Sequence, residues 1–245
     1  MKYMKVLIIS SVVLLSSILS GENYENILHK SDAAVFPAMA AYDMKINVEN
    51  DNGRKSTTVL TGYKKGSSKN VIIIHEPKKN AGTVEMRRDN SIWVYFSTNG
   101  KTMKSAFQSL AIGEDVCYGD ILTNDLGYDY SVFSSRNEGK NTVLELKPKP
   151  GREGYAKLIV TLDRATFLPV KKEYYALSGL LLKVCDVSGF EYGANGKVIK
   201  FSQTFYDPLK NKKSYIVVEN IRALQESQLP EKYYNESYMK FLSRM

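Results

Sequence analysis

Cysteine, histidine and tryptophan are scarce in this 245-residue chain, which carries two, two and one of them. Two cysteines cannot staple a disulfide-built scaffold. His29 and His75 are too far apart in the sequence to found a zinc site, so neither metal nor cofactor is expected. There is no phosphate-cradling glycine loop, no G-x-S-x-G elbow and no C-x-x-C pair. Basic residues never run to five in a row, and no nucleic-acid motif is present, which argues against nucleic-acid binding. Strand and helix patterns do not alternate, so a dinucleotide-binding α/β fold is excluded. Beyond residue 20 no apolar run is long enough to span a bilayer. A hydrophobic fraction of 43% and a charged fraction of 24% exclude a disordered chain.

The chain begins with a secretory pattern. Lys2 and Lys5 precede an apolar run from Val6 to Leu19, and Ser20 and Gly21 supply small residues for cleavage. Residues 1–20 are read as a cleaved signal peptide, with an uncleaved anchor as the alternative. Residues 21–245 are read as one exported domain, because no linker rich in Pro, Gly or Ser interrupts them. The expected location is the periplasm. The formal net charge of +8 falls to about +6 once the signal is removed. The excess is diffuse, with lysine pairs at turns (Lys64-Lys65, Lys78-Lys79, Lys171-Lys172, Lys212-Lys213). It suits either solubility and protected strand edges or attraction to anionic surfaces.

Glu22 to Ala34 reads as a short helix with Ile27, Ala33 and Ala34 on its apolar side, and Pro37 breaks it. The period then changes to two. Strands are predicted over residues 44–48, 56–65, 71–76, 82–88, 92–96, 142–147, 155–163, 169–176, 179–190, 198–205 and 214–223. Turn signals recur about every ten residues, which indicates one antiparallel sheet or barrel. Thr102 to Leu126 and Pro230 to Met245 have apolar residues three or four apart and read as helical. One face of the sheet needs a cover, and the first helix and the middle insert are available for it.

Few constellations suggest chemistry. His75 and Glu76 are neighbours, but strand alternation sends them to opposite faces. Glu114, Asp115, Asp120, Asp125 and Asp129 lack the spacing of a calcium loop and read as a solvated surface or helix caps. Cys117 and Cys185 either pair in an oxidising compartment or stay as two buried thiols. Trp93 is read as core or rim. No catalytic set converges, so no enzymatic activity is expected.

The order of elements resembles the outer-membrane lipoprotein-sorting family of periplasmic lipoprotein carriers (LolA-like). The likeness is carried by Pro77, Gly82-Thr83-Val84-Glu85-Met86, Ile92-Trp93-Val94-Tyr95, the basic loop with Lys101 and Lys104, and Gly119-Asp120-Ile121-Leu122. Tyr155-Ala156-Lys157-Leu158 and Leu168-Pro169-Val170 extend it over nearly the whole mature chain. Phe96-Ser97 replaces a proline of the family pattern, and lysines replace its arginines. Lysine lacks the planar two-pronged fork of arginine, which leaves the headgroup contacts and the cargo open.

The resemblance implies a mainly β (α+β) fold: a curved, incompletely closed antiparallel β-barrel with helices covering its concave face. It implies a monomeric carrier that holds lipoprotein acyl chains in an apolar cavity and ferries them from an inner-membrane donor to an outer-membrane acceptor. Met44, Met86 and Met103 are adaptable lining residues, and Ile46, Val84, Ile92, Val94, Phe107 and Leu110 would complete the lining. Lys101 and Lys104 would face a partner. A binder of other amphiphiles, phospholipid or glycolipid, is the alternative. A structural or interaction protein whose core is filled by these same residues is the other.

Overall fold

Period-two alternation in the sequence becomes strand after strand of one sheet. In the computed structural model, residues 23–49, 55–107, 109, 116–123, 125–152 and 154–245 are described. Residues 1–20, read above as a signal peptide, and Leu110 lie outside them.

The chain starts with helix α1 (Tyr24–Val35), capped by the Asn23 side chain, which accepts from Asn26 N at 3.1 Å. Phe36, in extended conformation, and Pro37 end it. Its buried residues are Ile27, Leu28 and Ser31, whereas Ala33, expected on the apolar side, is exposed. Six strands follow: β1 (Met39–Glu49), β2 (Lys55–Lys65), β3 (Lys69–Glu76), β4 (Val84–Arg88), β5 (Ser91–Phe96) and β6 (Lys101–Ser105). Two short helices come next, α2 (Tyr118–Leu122) and α3 (Leu126–Asp129). Seven more strands complete the sheet: β7 (Tyr130–Glu138), β8 (Asn141–Pro148), β9 (Lys157–Asp163), β10 (Pro169–Tyr175), β11 (Leu181–Tyr192), β12 (Val198–Asp207) and β13 (Lys212–Ala223). Three 3₁₀ turns and helix α4 (Met239–Leu242) end the chain.

The thirteen strands form a single curved sheet in the order β6-β5-β4-β3-β2-β1-β13-β12-β11-β10-β9-β8-β7. Two meanders therefore run outward from a β1–β13 seam, where Met44 faces Val218 and Ile46 faces Ile216. The sheet does not close, and β6 and β7 are its two edges. These are the two strands the periodicity missed. Thr102–Ser105 belongs to β6 and not to a helix, and among the described residues the helical part of that insert is α2 and the start of α3. An edge strand packs little, so its residues are freed from alternation; β6 is exposed over its first four residues.

The concave face holds the larger core. Tyr42, Met44, Ile46 and Val48 of β1 join Leu60, Ile72, Ile74, Leu144, Val160, Phe201 and Val218 beneath Ile27, Leu28, Ile121 and Leu122 of the helices. The convex face is covered over β3–β5 by the C-terminal segment. There Tyr234, Met239 and Leu242 pack on Val71, Ile73, Val84, Met86 and Tyr95. Lys69 and Glu231 tie that segment down at 2.6 Å.

Tyr42 fills the concave side of the seam and lies across β2 from Gly62. A Cβ on Gly62 would come within 2.1 Å of the Tyr42 ring. The ring also holds its hydroxyl on Asn70 Oδ1 at 3.1 Å. Gly62→Ala is expected to cost about 2 kcal/mol or more through overpacking. Urea unfolding would show a lowered midpoint, and an unchanged midpoint would refute this packing.

Candidate functional site

The concave face and its helical roof form the site. Of the expected lining residues, Met44, Ile46, Ile92, Val94 and Phe107 lie together in the concave core. Val84 and Met86 do not: they point to the convex face under the C-terminal segment. The β4–β5 register gives the reason. Val84 pairs with Tyr95 and Met86 with Trp93, whereas Glu85 pairs with Val94 and Arg87 with Ile92. Partners in register share a face, so the concave positions of β4 are Glu85 and Arg87. Trp93 packs at the edge of the convex cluster. Met103 pairs with Val94 but is 56% exposed on the edge strand. Lys101 and Lys104 are exposed on the same strand.

Phe107 packs against the roof itself. A Cβ on Gly119 of α2 would meet its ring at 2.0 Å, so glycine is required for this close approach.

The aspartates of the insert are not solvated. Asp120, Asp125 and Asp129 each pair with a cation from the sheet. Asp120 meets Lys183 of β11 at 2.5 Å, Asp125 meets Lys64 of β2 at 3.2 Å, and Asp129 meets Arg87 of β4 at 2.5 Å. The carboxylates of Asp120 and Asp129 are almost wholly shielded from solvent. Arg87 also donates to Thr123 Oγ1 at 2.9 Å. Asn70 Nδ2 donates to the Leu122 carbonyl at 3.3 Å and Lys149 to that of Gly127 at 2.6 Å. A cation in the inward phase of a strand was the available signal. Lys64 follows Leu60 and Gly62 in that phase, and Lys183 precedes Cys185 and Val187. Glu114 and Asp115 lie outside the described residues.

Helix α1 is fastened to α3 in the same manner. Asp32 accepts from Leu126 N at 2.9 Å and Gly127 N at 2.8 Å. Burial pushes its carboxyl up to about 7, with nearby Asp125 adding to the rise and the two amides and Lys172 opposing it. The His29 ring lies so close that a Cβ on Gly127 would fall 2.6 Å from its Nδ1. Glu25 accepts from Val132 N at 2.7 Å and anchors the start of α1 to β7.

Around Asp120 lies a buried polar knot. Tyr155 donates to its Oδ1 at 2.8 Å, and Cys117 N and Sγ each reach its Oδ2 at 3.0 Å. Burial, then Asp120, push the Cys117 thiol up to about 12, and burial does the same to Cys185. Both cysteines are free and buried. Thiols held protonated are poor nucleophiles. The His75 ring bonds Thr61 Oγ1 at 3.0 Å. Among the described residues no group of His, Cys, Asp and Glu is arranged to hold a metal.

Between α1, α2 and the sheet lies an interior cavity of about 50 Å³, lined by Asp32, Phe36, Met44, Lys172, Phe201 and Val218 among others. That is room for about one or two waters. Among the described residues, side chains fill most of the concave face.

A curved antiparallel sheet left open at one seam and roofed by the connection between its own edges is a LolA-like architecture. Solved structures show the same fold. A LolA superfamily protein from Nitrosomonas europaea superposes with a TM-score of 0.75 at 20% identity, covering 87% of this chain and 98% of its own. A putative outer membrane lipoprotein-sorting protein domain from Vibrio parahaemolyticus gives 0.72 at 18% identity, over 88% and 97%. A DUF1329 family protein from Desulfovibrio piger gives 0.73 at 19%, over 88% and 97%. A comparison with curated proteins finds no match. The family model described as "Uncharacterized protein" matches residues 66–241, and the chain belongs to that family.

Two outcomes test the roof. Arg87→Met leaves Asp129 buried without its cation and is expected to cost about 3–5 kcal/mol. Adding Asp129→Leu should recover most of that loss in urea unfolding; equal losses in single and double variants would contradict the pairing. The second outcome concerns pH. The folded protein holds the Asp32 proton up to about pH 7, whereas the ordinary value is 3.8. Stability from this group is therefore present at low pH and is lost as pH rises from about 4 to 7. Asp32→Asn should gain on the parent protein between pH 5 and pH 8, and a difference that does not move with pH would count against this.

Proposed function

We propose that this protein is an exported, non-enzymatic carrier of amphiphiles that takes acyl chains onto the concave face of its sheet. Lipoprotein acyl chains are the first cargo this reading names, and a phospholipid or glycolipid is the alternative. The observation that carries it is the construction of the roof. A broad apolar face is covered by short helices held through a few side-chain links, on a connection that bridges the open side of the sheet. The LolA-like fold supports the same reading.

The energies are compatible with opening. Each methylene removed from water gains about 0.8 kcal/mol, so about fifteen of them gain at most about 12 kcal/mol. That gain has to offset the separation of ion pairs that each cost a few kcal/mol to break. With an interior of about 50 Å³ in the closed form, loading requires α1, α2 and α3 to lift. In this reading the carrier works in the periplasm as a monomer, and residues 21–245 form its single domain after the signal is removed. It receives cargo from an inner-membrane donor and passes it to an outer-membrane acceptor that binds better, since affinity differences set the direction. Lys101 and Lys104 on the exposed edge strand are the surface offered to such a partner.

The filled interior favours a second reading, an interaction protein that holds no cargo. Native mass spectrometry of mature protein, purified without detergent, separates the two. A bound mass matching a lipid or acylated peptide is the expected result. Bare protein that also ignores added fatty acid would establish the second reading. Trp93 faces the convex side, so its emission is not the measure of loading.

A further inference from the structure

A second opening lies at one end of the sheet, under the first turns of α1. It is a cleft of about 380 Å³ lined by Ile27, Thr142, Phe167 and the turn residues Gly139, Lys140, Asp163, Arg164 and Ala165. It is a shallow depression that opens more widely to solvent than the inner cavity does. Ile27 is buried in the concave core, and Phe167 packs against that core. The floor of the cleft is thus the outer end of the concave apolar face.

The rim is cationic. Lys30, Lys140 and Arg164 are exposed, and no ion pair among the described residues engages any of them. Lys30 stands over the Phe167 ring, 5.0 Å from its centroid. The acid at the rim is occupied. Asp163 Oδ1 accepts from Ala165 N, Thr166 N and Thr166 Oγ1, each at 3.0 Å, and these bonds hold its carboxyl below the usual range.

The turn also holds an unusual aromatic. Phe167 has φ 60, a left-handed backbone that a bulky side chain rarely adopts. The Phe167 N to Asp163 O bond of 2.8 Å and the Asp163 side-chain bonds keep it there. The turn spends its hydrogen bonds on presenting an aromatic ring inside a basic rim. Backbone strain of this kind gathers at ligand-holding sites.

The cleft and the interior cavity lie under successive turns of one helix. Ile27 lines the first and Ser31 the second, and residues four apart share a helix face. Lifting α1 would join the two spaces along a wall that carries Ile27, Met44, Phe201 and Val218 together with polar Asp32 and Lys172.

We propose that this cleft is the mouth through which an anionic phospholipid enters, its phosphate held by Lys140, Arg164 and Lys30 and its first methylenes laid on Phe167 and Ile27. The inference rests on the carrier reading and names the lipid class for it. Lys140 and Arg164 in the lining, with Lys30 over the Phe167 ring, match a phosphodiester, and they hold a zwitterionic head less well because its own cation competes.

The test is calorimetric titration of the mature protein with dihexanoyl phosphatidylglycerol, dihexanoyl phosphatidylcholine and inorganic phosphate. The parent protein is expected to prefer phosphatidylglycerol by about tenfold. The exposed double change Lys140→Glu/Arg164→Glu should abolish that preference and leave the thermal midpoint unchanged. Equal affinity for the two lipids, or a preference that survives the double change, overturns the assignment while leaving the carrier reading intact. Inorganic phosphate bound as tightly as phosphatidylglycerol makes the site one for free phosphate and also overturns it. Failure of both lipids to bind overturns this proposal, whereas the carrier reading stands or falls on the bound mass found by native mass spectrometry.

Discussion

Strands β6 and β7 follow one another in the chain, yet they are the two outer edges of a thirteen-stranded sheet. The connection between them has to cross from one edge to the other. Most of what characterises this protein depends on that crossing. Sequential strands usually lie side by side and can be joined by a tight turn. Here the meander runs outward from β1 to β6, the chain crosses, and a second meander runs back from β7 to β13, which closes on β1. The crossing segment carries α2 and α3, and it becomes the roof because the concave side is where it can bury Ile121 and Leu122.

The crossing is held by charge at particular points. Asp120, Asp125 and Asp129 meet Lys183, Lys64 and Arg87, which come from three separate strands. Buried pairs of this kind add little net stability, because desolvation takes back most of what attraction supplies. They do penalise any arrangement in which one partner is buried alone. A roof placed this way has a definite closed position and a discrete set of links to break. Asp32 extends the same fastening to α1 through the amides of Leu126 and Gly127. The two covering elements are therefore coupled, and neither moves without disturbing the other.

The two faces of the sheet have separate tasks. The convex face over β3–β5 is sealed by Tyr234, Met239 and Leu242 and behaves as an ordinary core. The concave face is covered by helices that bury Ile27, Leu28, Ile121 and Leu122 and are also fastened through ion pairs and side-chain hydrogen bonds. In the proposed carrier reading, that asymmetry lets one face hold the fold while the other opens.

Much of the architecture was legible without coordinates. The alternation of Met44, Ile46 and Val48, the turns at regular intervals and the order of motifs identified an open antiparallel sheet of LolA-like form. They located eleven of the strands, and the structure shows thirteen. The missing two were β6 and β7. Edge strands pack on little, so nothing imposes period two on them. Alternation determined that Val84 and Met86 share a face but not which face it is. That depends on the sense of the sheet's curvature and on what covers each side, and both involve residues more than a hundred positions away. For the same reason the aspartates of the insert read as solvated. Their partners Lys64, Arg87 and Lys183 stand 61, 42 and 63 positions distant, and only the closed fold brings the charges together. Local pattern decided the elements. The crossing from edge to edge, a property of the whole sheet, decided which residues form the site.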